Sequence, residues 1–132
     1  QAVCDFCGPS TFRAEDFQSE PGKLREAGPP VVQKLFGGPL NENREKARLA
    51  SPVEHTSKDD PPFLIVHGEK DNVVPVKHSR LLAEGLKKAG VEVSLVVDPN
   101  AGHGVASLNN KKTVAEFFDK HLKGRPATKP AR

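Results

Sequence analysis

The sequence contains no tryptophan, tyrosine or methionine, and phenylalanine is its only aromatic residue, with seven copies. No apolar run approaches the roughly 20 residues that a membrane-crossing helix requires. Charge of either sign is also not in large excess, with 20 Lys or Arg residues against 17 Asp or Glu residues. Because the sequence shows no basic face with interleaved aromatic residues, we predict neither a membrane span nor a nucleic-acid partner.

The remaining composition is that of a folded α/β protein with many turns. Hydrophobic residues make up 36% of the 132 residues and charged residues 28%, with 12 Pro and 11 Gly. This length suits one domain, although it is short for an enzyme built on a large parallel sheet. Gln1 leads straight into apolar residues without a Met or a capping residue, so we expect the chain to begin inside a domain. Residues 123–132 are basic and indicate a flexible tail.

Three apolar stretches predict the strands of a parallel sheet: residues 1–6, 63–67 and 91–97. The second stretch is continuous and ends at Gly68, which is typical of a strand buried on both faces. Between the second and third, residues 77–89 have apolar side chains at helical spacing, and Gly90 ends the helix. A strand that returns through such a helix runs parallel to its predecessor. We therefore predict an α/β fold of about three parallel strands with flanking helices.

Two further parts of the chain are predicted to be helical. Residues 111–122 place apolar side chains on one face, so this helix should pack against the sheet. Residues 11–58 contain only short helical stretches, 30–36 and 41–49, between prolines and glycines, which indicates a lid-like insertion. Several apolar side chains of the insertion fit either a substrate pocket or simple packing: Phe12, Phe17, Leu35 and Phe36.

Two polar residues follow neighbouring strands at the same edge of the predicted sheet. Asp71 comes after the second strand, and His103 comes after the third, between Gly102 and Gly104. Catalytic groups gather beyond the carboxyl ends of parallel strands. Since adjacent strands are about 4.8 Å apart, the carboxylate can reach the imidazole. We predict that Asp71 is a catalytic acid that fixes the tautomer of His103, and that His103 is a general base.

Other titratable residues leave alternatives open. Glu69 and Asp98 are rival acids, although Asp98 would have to fold back from the end of its strand. His67 ends a buried strand, where a core histidine with satisfied hydrogen bonds is the favoured interpretation over a ligand. The other histidines have the sequence context of surface or helix residues: His55, His78 and His121.

Cys4 and Cys7 have the spacing of a redox centre or of half a zinc site. If both lie on one extended strand, their Cα atoms are about 10 Å apart, which is too far for a disulfide. The sequence has no second cysteine pair to complete a zinc site. We therefore predict buried strand thiols, no metal and no cofactor. Neither cysteine lies on a strand-to-helix elbow, so neither is a favoured nucleophile.

The residues around Asp71 and His103 resemble the C-terminal part of α/β-hydrolase esterases and lipases. The likeness is closest to bacterial polysaccharide-esterase and feruloyl-esterase-like proteins, and it extends to about Leu122. It rests on Ser51, Pro52 and Val53, on residues 61–75 (PPFLIVHGEKDNVVP), on residues 101–104 (AGHG) and on residues 6–9 (FCGP). The resemblance implies a triad in the order serine, acid, histidine, with the serine on a Gly-x-Ser-x-Gly elbow.

No serine of this chain has the flanking glycines of such an elbow; the seven are Ser10, Ser19, Ser51, Ser57, Ser79, Ser94 and Ser107. The resemblance implies that the nucleophile and the first oxyanion-hole loop precede residue 1. We expect part of a serine carboxylic ester hydrolase that is inactive alone and acts, when complete, on small esters, including carbohydrate-linked ones. The missing N-terminal half, or another copy, would cover the exposed sheet edge. The alternatives are a non-catalytic remnant that serves as a binding or assembly module, and a peptidase on the same scaffold.

Overall fold

A computed structural model describes residues 1–17 and 28–123, so the predicted basic tail, apart from Lys123, lies outside the described residues. Three parallel strands form one sheet in the order β1 (Val3–Phe6), β2 (Phe63–Gly68), β3 (Val93–Asp98). The register places Phe6 beside Val66 and Gly68 beside Asp98. The predicted α/β fold with a parallel sheet is confirmed.

Helices flank the sheet and form much of the insertion. In the part of the chain that the structure describes, the α-helices are α1 (Pro30–Phe36), α2 (Arg44–Ala50), α3 (Lys77–Lys88), α4 (Val105–Asn109) and α5 (Lys111–Leu122). Short 3₁₀ turns cover Ala14–Phe17, Leu40–Glu42 and Pro52–His55. None of the described helices is long and apolar enough to cross a membrane.

The central strand β2 is buried on both faces, as its continuous apolar sequence predicts. Ile65 packs against Leu82 and Leu86, which lie four residues apart on one face of α3. Leu64 and Val66 point to the opposite face, because side chains alternate along a strand. There they join a second cluster with Ala101, Ala106 and the partly buried Phe117 of α5. Helices α3 and α5 therefore cover opposite faces of the sheet.

Several predicted boundaries differ: α2 begins at Arg44 rather than at residue 41, β1 at Val3 rather than at residue 1, and β3 at Val93 rather than at residue 91. Gly90 has a φ of +85°, and the N–H of Val91 donates to the carbonyl of Leu86 at 3.0 Å. Gly90 thus ends α3 in the left-handed conformation, and Val91 packs against α3 instead of joining the sheet. The strand then continues to Asp98, one residue beyond the prediction. Helix α4 was not predicted.

The described part of the predicted insertion, residues 11–17 and 28–58, contains a small apolar cluster. Its buried members are Val32, Phe36, Leu40 and Ala47, with Phe12, Ala14 and Phe17 packed against them. Leu35 points away from this core and is 67% exposed. A cavity of about 440 Å³ borders the core and has Phe12, Leu40 and Ala47 among its lining residues. Phe17 and Phe36 therefore pack, Phe12 also lines a cavity, and a lid function stays a prediction.

Candidate active site

Asp71 lies in the turn that follows β2, where backbone groups hold its carboxylate. Its Oδ1 accepts hydrogen bonds from the N–H groups of Val73 and Val74, both at 2.9 Å. Short side-chain to backbone bonds of this kind are characteristic of Asp in turns. The side chain is completely buried. The carboxylate is therefore fixed in orientation, with Oδ2 directed to other partners.

His103 meets this carboxylate from the loop that follows β3. Its Nδ1 lies 2.8 Å from Oδ2 of Asp71, and its side chain is 45% exposed. Because a carboxylate accepts a hydrogen bond, Nδ1 carries the proton and Nε2 keeps the lone pair in the neutral ring. The structure thus joins the predicted acid and base, with the basic nitrogen on a half-exposed ring.

A close contact between two backbone segments brings the two loops together. A Cβ atom at Gly68 would overlap the carbonyl oxygens of Ala101 and Gly102. In addition, the N–H of Lys70 donates to the carbonyl of Ala101 at 3.0 Å. Glycine at the end of β2 therefore allows the histidine loop to lie directly on the acid turn.

The surroundings of Asp71 favour its charged form. Burial alone raises the pKa of this carboxyl, but hydrogen bonds from the Val74 N–H, from His103 and from the Val73 N–H outweigh burial and hold the pKa below its ordinary value. Asp71 is therefore ionised at neutral pH. A buried carboxylate in contact with Nδ1 stabilises the imidazolium that forms when Nε2 takes a proton.

His67 is a core histidine with satisfied hydrogen bonds, as favoured from the sequence. It is fully buried, its Nδ1 lies 2.6 Å from Oγ of Ser79, and its Nε2 lies 2.8 Å from the carbonyl oxygen of Val74. Nε2 also lies 3.2 Å from Oδ2 of Asp71, a contact that was not predicted from the sequence. The sequence signal for this contact is that His67 and Asp71 are only four residues apart, so one tight turn can bring their side chains together.

The rival acids are engaged away from His103. Glu69 pairs with Arg80 at 2.7 Å on the surface. Asp98 accepts hydrogen bonds from the N–H of Asn100 at 2.9 Å and from Nδ2 of Asn109 at 2.8 Å. Among the three candidate carboxylates, Asp71 is the one in contact with the histidine.

Cys7 departs from the predicted extended strand. The strand ends at Phe6, and Cys7 has a φ of +53°, the only positive φ of a non-glycine residue in the described chain. Its thiol is buried beneath the end of β2, 3.8 Å from the carbonyl oxygen of Val66. Burial raises the pKa of the Cys7 thiol, so the sulfur is protonated and a poor nucleophile. Cys4 is partly buried, and burial raises its pKa to about 11.

Cys7, His67 and Asp71 are close enough together to resemble a metal site. One ligand atom of each residue lies within 4.8 Å of the others, and all three residues are buried. However, a carbonyl oxygen can only accept, so Nε2 of His67 uses its proton on Val74 and has no lone pair to offer there. These contacts fit a hydrogen-bonded cluster better than a set of metal ligands.

A second buried histidine lies apart from Asp71. His78 is on α3, as one predicted alternative allowed, but it is fully buried, so a surface position is wrong. Its Nδ1 accepts a hydrogen bond from the N–H of Ser10 at 3.2 Å, and its ring lies 4.6 Å from that of Phe17. Burial lowers the pKa of His78 to about 4. This histidine connects the insertion to α3.

The buried serines are used in structural hydrogen bonds. Oγ of Ser10 donates to the carbonyl of His78 at 2.6 Å, and Oγ of Ser51 donates to that of Ala47 at 2.7 Å. Ser79 binds His67. The hydroxyls of Ser10, Ser51 and Ser79 are therefore engaged away from His103.

Parallel strands with an acid after one strand and a histidine after the next define an α/β-hydrolase. The chain belongs to the BD-FAE family, whose sequence pattern matches residues 1–86. The match includes Asp71 and His67 and ends before His103. The placement of His103 therefore rests on the geometry of its loop.

Known proteins of this class are similar over most of the chain. Esterase LipC of Mycobacterium tuberculosis is 35% identical over 84 residues, which are 63% of this chain and 20% of LipC. The uncharacterized peptidase YuxL of Bacillus subtilis is 33% identical over 88 residues, 61% of this chain and 13% of YuxL. A truncated carbohydrate esterase from gut microbiota superimposes with a TM-score of 0.73 at 32% identity, over 91% of this chain and 42% of that one. The chain thus spans a fifth or less of these two curated relatives.

Proposed function

We propose that this chain supplies the catalytic acid and the general base of a serine carboxylic ester hydrolase. The observation that carries the proposal is the 2.8 Å contact between the buried Asp71 carboxylate and the half-exposed His103 ring. In this mechanism, Nε2 of His103 takes the proton of a serine hydroxyl as the serine oxygen attacks the ester carbonyl. His103 then gives that proton to the departing alcohol, and Asp71 stabilises the imidazolium in between.

The nucleophilic serine in this proposal comes from outside the 132 residues. Support comes from the absence of a Gly-x-Ser-x-Gly motif in the sequence and from the structural hydrogen bonds of the buried serines. In the described chain, β1 pairs only with β2, which leaves its other edge open for a further strand. The N-terminal half of a longer protein, or another copy of this chain, would cover that edge.

The proposed substrates are small carboxylic esters, with carbohydrate-linked esters among them. Support comes from the similarity to LipC, which is named an esterase, and to a structure named a carbohydrate esterase. A peptidase is the second candidate, because YuxL is named a peptidase and matches at a similar identity. A non-catalytic module is less well supported, since simple binding does not require a buried carboxylate that orients a half-exposed imidazole.

Ester hydrolysis and fluorophosphonate labelling, measured on this chain and on a version extended upstream in the same reading frame, test the proposal. We expect the extended version to be labelled and to hydrolyse p-nitrophenyl acetate, and the 132-residue chain to do neither. Turnover by the short chain alone would contradict an external nucleophile. A higher kcat/KM on an acylaminoacyl p-nitroanilide than on the ester would favour the peptidase, and no labelling of the extended version would favour the binding module.

A further inference from the structure

The hydrogen bonds of His67 define where its proton lies. The carbonyl oxygen of Val74, 2.8 Å from Nε2, can only accept, so Nε2 carries a hydrogen. At the other side of the ring, the hydroxyl of Ser79 lies 2.6 Å from Nδ1 and can donate to it. Both partners therefore favour one form of the ring, the neutral tautomer with the proton on Nε2.

The same Nε2 atom also lies close to the carboxylate of Asp71, while its N–H is directed at the carbonyl of Val74. Nε2 of His67 lies 3.2 Å from Oδ2, the oxygen that also binds Nδ1 of His103 at 2.8 Å. Oδ1 is occupied by the N–H groups of Val73 and Val74. Two imidazoles thus converge on one carboxylate oxygen, one from the buried side and one from the exposed side.

We propose that His67 is a positioning residue for the catalytic acid, a role that rests on the proposed function of Asp71. Its hydrogen bond to the Val74 carbonyl fixes the turn that carries Asp71, and its Nε2–H dipole, 3.2 Å from Oδ2, offsets part of the negative charge on that oxygen. Ser79 acts through His67, because its hydroxyl keeps the ring proton on Nε2. Since His67 does not face the open side of the site, it acts only through Asp71.

Titratable groups from each neighbouring element face this pair: Asp5 on β1, Cys7 after β1, His78 on α3 and His103 after β3. Burial raises the pKa of Asp5 and of the Cys7 thiol and lowers that of His78, which reduces the charge on all three. The pKa of Asp71, in contrast, is lowered. The carboxylate beside His67 therefore carries a charge that a neighbouring N–H can stabilise.

The position of the ring proton can be measured directly by NMR on the 132-residue chain, labelled with ¹⁵N in its histidine rings. We expect the proton of His67 on Nε2 and a bare Nδ1 at neutral pH. A bare Nε2 would overturn the proposal. Because this measurement requires no turnover, a chain that is folded but inactive still tests the role of His67, and failure of the hydrolase proposal is seen separately in the activity assay.

Two substitutions of His67 test the coupling to His103. His67→Leu removes the donor, so Oδ2 should bind the His103 N–H more strongly and raise the pKa of His103 by about half a unit. His67→Gln retains an N–H at a similar position and should leave that pKa within about 0.2 units of the original. The readout is the NMR titration of the His103 ring.

His78→Leu is the matched control, since it removes an equally buried histidine that is hydrogen-bonded to Ser10 instead of Asp71. We expect it to leave the pKa of His103 unchanged. A folded His67→Leu chain with an unchanged His103 pKa, or an equal shift in His78→Leu, would overturn the proposal. If His67→Leu does not fold, the proton position in the original chain still decides the outcome.

Discussion

Two clusters in the described chain bring a histidine close to an aspartate, and they differ in what the carboxylate binds. At the end of the sheet, Asp71 binds the half-exposed His103. Where the insertion meets α3, Ser10, Asp16 and His78 lie together, but the carboxylate of Asp16 binds Thr11, Arg13 and Lys77. A serine, a histidine and an aspartate near one another are therefore not sufficient for a catalytic triad.

The physical difference between the clusters is access to solvent. The side chain of His103 is 45% exposed, whereas the ring of His78 is buried and lies against Phe17. Burial lowers the pKa of His78 to about 4, so this ring is neutral at pH 7 and cannot be reached by a substrate. The first cluster can move a proton, and the second stabilises the contact between insertion and helix.

The largest difference between the clusters is expected when the carboxylate of Asp71 or that of Asp16 is replaced by an amide. In the extended version, Asp71→Asn should lower kcat/KM roughly 10³- to 10⁴-fold, because an amide no longer selects the Nδ1–H tautomer or stabilises the imidazolium. Asp16→Asn, the matched change in the second cluster, should leave kcat/KM within about threefold once corrected for folded protein. Full activity of Asp71→Asn would move the acid role to Glu69 or Asp98.

The second prediction concerns stability against pH. The pKa of His78 is about 4 in the folded protein and 6.5 in its ordinary state, so the unfolded chain binds the proton first as pH falls. His78 should therefore contribute stability above pH 6.5 that is lost between pH 6.5 and about 4, up to about 3 kcal/mol.

Urea unfolding of the original chain and of His78→Leu between pH 4 and 7 measures this contribution. The difference between the two free energies of unfolding should shrink as pH falls through that range. The difference between the two free energies of unfolding is used because acid also destabilises both chains through Asp71, whose pKa is lowered in the folded protein. A difference that is constant with pH would show that His78 does not titrate as described.

Removing one hydroxyl from the second cluster should have a smaller effect. Ser10→Ala deletes the 2.6 Å hydrogen bond to the carbonyl of His78 and should lower the free energy of unfolding by about 1 kcal/mol. The extended version with this change should retain its kcat/KM. A loss of activity greater than the loss of folded protein would connect the second cluster to catalysis and contradict the comparison.

The smallest effects are expected at Glu69 and Asp98, the two carboxylates that the sequence offered as alternatives to Asp71. Glu69→Gln removes an exposed pair with Arg80, and Asp98→Asn alters bonds to Asn100 and Asn109. Exposed pairs contribute little, so both variants should change stability by less than about 1 kcal/mol. Activity of both in the extended version should stay within about twofold, and a large loss in either would identify a second acid.

Much of the fold was predictable because its signals are local. The continuous apolar run of β2, the helical spacing of α3 and the stop at Gly90 define a strand, helix, strand unit without knowledge of tertiary contacts. The contact of Asp71 with His103 followed from the same reasoning, since both residues come after parallel neighbours. The left-handed turn at Cys7 was not predictable, because a cysteine gives no local signal for a positive φ.

The amino-acid sequence by itself determined the parallel sheet, the order of its helices apart from α4, and the edge of the sheet at which Asp71 and His103 lie, because periodicity and chain order carry that information. Only the tertiary structure decided that His67 lies beside the same carboxylate oxygen as His103, and that His78 is enclosed. Those properties depend on packing between residues distant in sequence, such as Gly68 against Ala101. Burial and hydrogen bonding, which determine where a proton can move, are not encoded in any short segment of the chain.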